Sequence, residues 1–330
     1  MFLAILVLGL MIQYRSGRFF DANNLVDFLR AFIVPCTFAI GTYIVIVSGG
    51  IDISFPGLSA LVSYVVVLLQ LRAGPENASL LAGYVLCFLL GALLGSINGF
   101  LIGYYKLPSL IVTLGTVNLY WGILFGPLNN LTYPLPRPLM NWSRVFLFTV
   151  TNPSSGISAS LPALFIIAFT LIPITWFIMY KTMIGRGIYA IGGNIDAASR
   201  VGFNVLALQV FVYAFSGGLA GLCGYNRIIL TRILNPAIKA GTEMTIIAGV
   251  VLGGVRITGG VGTLSGALLG TIFLTILNNS LMLLGFSPYW ADAATGVAIV
   301  IGISISTIQI IIERRKQIRH TNISVKTGER

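Results

Sequence analysis

The sequence predicts an all-α polytopic membrane protein with about ten transmembrane helices, several of them short or broken. Three observations carry that expectation. Only 9% of the 330 residues are charged and 56% are hydrophobic, whereas a soluble domain carries about a quarter charged residues to cover its surface. Apolar runs recur along the chain, near 1–14, 31–47, 57–71, 79–103, 108–126, 161–180, 207–230, 242–254, 262–284 and 290–312. Most approach the length of about 20 residues that a bilayer-crossing helix needs. One dense polar, glycine-rich island, Lys181–Asn204, interrupts them.

The first run, MFLAILVLGLMIQY, is apolar from its second residue and lacks a basic lead and a small-residue cleavage site. It reads as an uncleaved first span rather than a signal peptide. The second, third and eighth runs are short, and short or glycine-interrupted segments are where transporter helices break around a pathway. Two such passages resemble each other. VSGGIDISFPGLSAL at Val47–Leu61 and VLGGVRITGGVGTLSGAL at Val251–Leu268 both follow a short apolar run with paired glycines, a charged residue, a hydroxyl residue and a new helix. They suggest an internal repeat with the solute route between its copies.

The residues Ser48, Gly49, Gly50, Asp52 and Ser54 fall in the first copy, and Arg256 stands opposite Asp52 in the second. An ionisable group at membrane depth faces a cavity, a partner or a helix end. Two readings follow for Asp52: a cap for the next helix, together with Ser54, or a pathway residue paired with Arg256. Thr113, Asn118 and Asn98 are polar groups able to bond a hydroxylated solute or to stitch helices together. The small-residue runs Gly91–Gly103 and Phe215–Gly224 fit close helix packing.

Between the fifth and sixth runs, about 127–161, Pro134, Pro136, Pro138 and Pro153 argue against regular helix and for an outside segment. It either connects two spans or receives an external partner. Asn130 there opens an Asn-Leu-Thr triplet, relevant only to a secretory pathway, which is not expected. The island at about 181–206 is either a spacer or a docking element for a soluble partner. Gly185, Gly187, Gly192 and Gly193 would allow sharp turns, and Asn194 or Asp196 would cap a short helix through Ile195–Val201. Arg186 adds to its basic character.

Lys and Arg crowd the tail, about 313–330, directly after the last run, which favours the cytoplasm. With ten spans, the island and Lys106 are cytoplasmic as well. Arg15, Arg18, Arg30, Arg227, Arg232 and Lys239 would then lie outside. The net charge of +11 forms no basic face with interleaved aromatics, so it points to anionic lipid and not to nucleic acid. Cys36, Cys87 and Cys223 sit in apolar surroundings without CxxC spacing and read as small buried hydrophobes. The single histidine, His320, is in the tail, which speaks against a His-based metal site or triad. GGVGTLSG at Gly259–Gly266 lacks the ending of a phosphate loop. No enzymatic signal remains.

Four passages in order resemble one family, the permease subunits of ABC importers for monosaccharides such as ribose, galactose and xylose and the related autoinducer-2 systems. They are SGGIDIS at Ser48–Ser54, KLPSLIVTLGT at Lys106–Thr116, GRGIYAIGGNIDAASRVGFNV at Gly185–Val205 and VVLGGVRITGGVGTLSGALLGT at Val250–Thr271. The departures are Phe55-Pro56, Arg256 and Thr245. The resemblance implies a single permease domain over 1–330 in a bacterial inner (plasma) membrane with a cytoplasmic C-terminus. It implies a second permease copy or a sister permease, an external or periplasmic solute-binding protein, and an ABC ATPase subunit that carries ATP and Mg, with no cofactor on this chain. Gly185, Arg186, Gly192, Gly193, Asn194 and Asp196 would then form the ATPase-coupling loop. Ser48–Ser54, Thr113, Asn118 and Arg256 would line the path or its gate. The alternatives are a nucleoside or other small-metabolite ABC permease and an ion-coupled secondary carrier.

Overall fold

The computed structural model describes residues 1–17, 19–128, 131–152, 156–235 and 242–285, and beyond them 287, 289–290, 293–297, 300 and 304. The basic tail, most of the run near 290–312, Arg18, Asn130, Pro153, Lys239 and Asp292 lie outside the described residues. Helices dominate: α1 (Phe2–Ser16), α2 (Ala22–Val47), α3 (Phe55–Ala73), α4 (Leu80–Tyr105), α5 (Ser109–Phe125), α6 (Arg137–Trp142), α7 (Phe165–Lys181), α8 (Met183–Gly193), α9 (Ile195–Arg200), α10 (Val205–Thr231), α11 (Thr242–Leu252) and α12 (Leu264–Leu283). Among the described residues α2, α3, α4, α10 and α12 are long and apolar enough to cross a membrane. The pair α7–α8, bent by 72°, makes a sixth if counted as one span, and α1, α5 and α11 are shorter apolar helices. Adding these three and the run near 290–312 would make the ten expected.

Two expectations are corrected. The second run is not short: α2 begins at Ala22, because Asn23, Asp27 and Arg30 sit in its first turns and mask its start in the hydropathy pattern. The Pro-rich segment contains a helix after all. Pro136 precedes α6 and Pro138 falls in its first turn, where the missing N–H has no helical partner to lose. The same segment forms an antiparallel hairpin of β2 (Phe146–Thr151) and β3 (Ser158–Pro162). Its β1 (Tyr133–Pro134) pairs with β4 (Ile233–Leu234).

Successive helices return the chain to two ends. At one end Tyr64 donates to the Leu131 carbonyl (2.9 Å), Arg232 to Ser143 (2.9 Å) and Asn23 to the Ile157 carbonyl (2.8 Å). At the other, the Ile51 N–H donates to Ser109 and Gly49 lies against Gly192. The most enclosed helix is α2, buried almost continuously from Cys36 to Val47. Against the core, α4 and α10 run antiparallel, and the two small-residue runs expected to pack closely do so against each other. A Cβ on Gly91 would lie 2.3 Å from the Gly217 carbonyl oxygen, one on Gly95 2.1 Å from that of Tyr213, and one on Gly221 2.2 Å from that of Cys87. All three cysteines are buried and unbridged. The outer face of α4 exposes Leu81, Val85, Leu89, Leu93 and Phe100, an apolar surface suited to lipid chains.

Gly95→Ala should therefore force α4 and α10 apart and destabilise the detergent-purified protein by about 1–3 kcal/mol, as overpacking does. Gly115 on α5 faces open space within 4 Å, so Gly115→Ala should leave the melting temperature unchanged or slightly raised.

Candidate functional site

Lys181 ends α7, and an extended Thr182 turns the chain into α8. Its hydroxyl accepts the Gly185 N–H at 3.3 Å. Asn194 accepts the Ala197 N–H at 2.9 Å to start α9, and Asn204 accepts the Ala207 N–H at 3.0 Å to start α10. Each polar side chain satisfies an otherwise orphaned helix-end donor. The expected cap at Asn194 is present, and Asp196 lies in the first turn of α9, where a carboxylate meets the positive end of the helix.

The island's glycines do not make turns. Gly185, Gly187, Gly192 and Gly193 all lie within α8. Three of them serve close approach: a Cβ would sit 2.2 Å from the Met179 carbonyl oxygen at Gly185, 2.7 Å from Leu208 at Gly187 and 1.9 Å from the Val47 carbonyl oxygen at Gly192. Sequence alone suggested flexibility because glycine is unfavourable inside helices; here close packing offsets that. The outer surface of this two-helix hairpin exposes Met183 (62%), Arg186, Ile195, Asp196, Arg200 and Val201 (79%). It is a mixed apolar and charged face on a rigid support.

The break between α2 and α3 is held from several sides. Helix α2 ends with the Gly49 N–H on the Ile46 carbonyl and the Gly50 N–H on the Val45 carbonyl, with Gly49 left-handed (φ 86°). The second passage ends α11 in the same way, through Gly254 (φ 92°) and the donors of Gly254 and Val255. This is the Schellman pattern of helix termination, so the two similar passages share a physical device. Asp52 is 5% exposed. Its Oδ1 accepts both the Ser54 N–H (2.7 Å) and the Ser54 hydroxyl (2.6 Å). Asn98 of α4 donates to the Ser54 hydroxyl at 3.0 Å. From α5, Ser109 accepts the Ile51 N–H and Thr113 donates to the Ile51 carbonyl at 3.3 Å. Ser48 is buried and bonds its own helix at the Val45 carbonyl.

The candidate path residues are thus not one group. Asp52, Ser54, Asn98 and Thr113 form one buried brace. Asn118 is exposed, further along α5, and donates to the Leu114 carbonyl. Arg256 is exposed, so the Asp52–Arg256 pair considered from the sequence is not formed: the carboxylate is occupied by Ser54 inside the protein. The loop that carries Arg256 instead meets the brace through backbone. A Cβ on Gly259 would lie 2.6 Å from the Gly49 Cα, and one on Gly260 2.8 Å from the Gly193 Cα. The Gly260 N–H donates to the Val47 carbonyl at 2.9 Å. Three segments far apart in sequence therefore meet backbone to backbone at Gly49, Gly192 and Gly259–Gly260. Sequence reasoning missed Ser109, Tyr43, Tyr180 and Tyr189 at this junction; single hydroxyls in apolar runs carry no spacing signal.

Comparison with known proteins adds independent information. Residues 24–303 match the family model described as branched-chain amino acid transport system / permease component. The ribose import permease protein of Haemophilus influenzae is 32% identical over 304 residues, 92% of this chain and 90% of the relative. That of Escherichia coli K12 is 31% identical over 322 residues, 96% and 93% of the two chains. The autoinducer 2 import system permease protein of Photorhabdus luminescens is 28% identical over 299 residues, 90% and 86%. No solved structure gives a significant match.

The junction makes a contrast between neighbours. Gly192→Ala should collide with the Val47 carbonyl and lower the yield and melting temperature of the purified chain. A Cβ at Gly193 meets nothing within 4 Å, so Gly193→Ala should keep both at the unmodified level.

Proposed function

The chain belongs to the branched-chain amino acid transport system / permease component family, and from that premise we propose that it is the membrane-spanning permease of an ATP-driven importer for a monosaccharide or a similar hydroxylated solute. One observation carries the docking part of this reading. The hairpin α8–α9 presents an exposed mixed face and is packed at Gly192 directly against the break at Val47–Gly49. A push on such a hairpin reaches the break without crossing a flexible linker. The hairpin is the coupling element received by a cytoplasmic ATPase, which holds the ATP and Mg. The opposite end, with its β2–β3 hairpin, faces a solute-binding protein, and a second permease completes the conduit.

The chemistry of the site favours a neutral solute. A zwitterionic amino acid calls for charged partners of both signs. Around the break the buried polar side chains are Ser48, Ser54, Asn98 and Thr113, and the one carboxylate, Asp52, is already bonded twice by Ser54. The ribose and autoinducer 2 import functions of the relatives agree with that preference. A nucleoside is the nearest alternative solute, since it shares the hydroxyls. An ion-coupled carrier would place more ionisable groups within its spans. In the importer reading, the two nucleotide states of the ATPase bind different permease conformations, and that differential affinity moves the conduit between outward and inward states.

Arg186 stands exposed on the docking face. Arg186→Glu should weaken retention of the ATPase on the immobilised permease by about tenfold, the equivalent of about 1.4 kcal/mol, with membrane level unchanged. Undiminished retention, or an equal fall in protein level, would count against the docking role.

A further inference from the structure

Beyond the glycine junction, a set of tyrosine hydroxyls joins the same parts of the molecule. Tyr189 of α8 donates to the Gly262 carbonyl at 2.7 Å. Tyr43 of α2, fully buried, lies 2.6 Å from the Tyr189 hydroxyl. Tyr180, at the end of α7, lies 3.4 Å from Tyr43 and accepts the Leu264 N–H at 3.1 Å. Each hydroxyl has one proton to give, so the directions are fixed. Because Tyr189 spends its proton on Gly262, Tyr43 must donate to Tyr189. Because Tyr43 has then spent its only proton on Tyr189, its contact with Tyr180 takes the Tyr180 proton, and Tyr180 accepts the Leu264 N–H on a lone pair. The result is one directional chain, Leu264 N–H to Tyr180 to Tyr43 to Tyr189 to the Gly262 carbonyl. It leaves the loop before α12, passes through α7, α2 and α8, and returns to the same loop. The 3.4 Å step is its weakest link.

We propose that this chain of hydroxyls is a latch that makes α8, α2 and the loop Gly253–Thr263 move as one body, with Tyr43 and Tyr189 as its positioning residues. The proposal rests on the coupling reading given above and deepens it. The Gly260 N–H bond to the Val47 carbonyl ties the loop to α2, whereas α8 meets both at Gly192 and Gly193 through contacts that resist approach but not sliding, since dispersion has little directional preference. Hydrogen bonds supply the missing direction, and polar chains polarise one another in a low-dielectric interior. Phenylalanine would fill the same space at all three positions, and a buried hydroxyl is unfavourable unless bonded. Packing alone therefore does not account for tyrosine at the buried Tyr43.

The test is hydrogen exchange on the complete permease–ATPase complex in nanodiscs, without nucleotide and with ATP under non-hydrolysing conditions. In the unmodified complex, ATP should alter exchange both in the hairpin 183–200 and in the loop 253–264. Tyr189→Phe, which removes the bond to Gly262, should keep the hairpin response and reduce the loop response by about fivefold, the scale of one lost hydrogen bond. Tyr43→Phe, which leaves the bond from Tyr189 to Gly262, should keep both and reduce the response at the end of α2, 44–50, by about the same factor. Tyr180→Phe should have a smaller effect. A structural role alone would raise baseline exchange and leave the ATP response of the loop intact, and that result would overturn the latch. Should Tyr189→Phe fail to assemble, Tyr43→Phe decides alone: it unties α2 from α8, and an unchanged ATP response at 44–50 would overturn the latch. If the unmodified hairpin itself ignores ATP, it is the coupling reading that fails.

Discussion

Close backbone approach at Gly49, Gly192 and Gly259–Gly260 is the constraint on which the rest of the site depends. A Cβ at Gly192 would lie 1.9 Å from a carbonyl oxygen of α2, and one at Gly259 2.6 Å from the Cα of Gly49. No side chain fits there, so the hairpin α8–α9, the break after α2 and the loop after α11 share one small volume. The left-handed glycine caps on α2 and α11 aim both chain ends into that volume. The brace of Asp52, Ser54, Asn98 and Thr113 then fixes the break against α4 and α5. Each layer positions the next.

This arrangement changes what the charged residues are for. Asp52 is drawn inward to close the turn at Ser54, and the carboxylate is used structurally. Arg256, in the corresponding passage, is left on the surface. Most polar groups near the break are engaged with backbone or with one another, although the Asn98 Oδ1 and the Tyr213 hydroxyl are buried without a partner among the described residues. A permease built this way offers few fixed side chains to its cargo, which fits a division of labour in which selection rests with a separate binding protein.

Much of the fold was legible in the sequence because membranes impose a simple rule: long apolar runs become helices with internally satisfied backbone. Runs four, five, seven and nine match α4, α5, α10 and α12 within a few residues. Close packing of Gly91–Gly103 and of Phe215–Gly224 was also readable, since small residues spaced along apolar helices have few other uses, but that they pack on each other was not. The start of α2 was not, because Asn23, Asp27 and Arg30 break the apolar pattern without breaking the helix. Helix α6 was hidden by prolines that are harmless in a first turn. In the island a short helix capped by Asn194 or Asp196 was expected, and Asn194 makes the cap, but α8 was missed, because four glycines signal turns locally and close packing only in three dimensions. The pairing of Asp52 with Arg256 failed for the same reason: sequence correspondence between repeats gives equivalence of position, not contact.

The central claim is that the docking hairpin and the loop after α11 are one body. Spin labels at Ser199 on α9 and Ile257 on the loop, both exposed, would report their separation by pulsed dipolar spectroscopy in the assembled complex. A single distance that stays the same whether or not the motor holds ATP is the expected result. A separation that shifts or splits on nucleotide binding would show that the hairpin slides over the junction, and the account would be wrong.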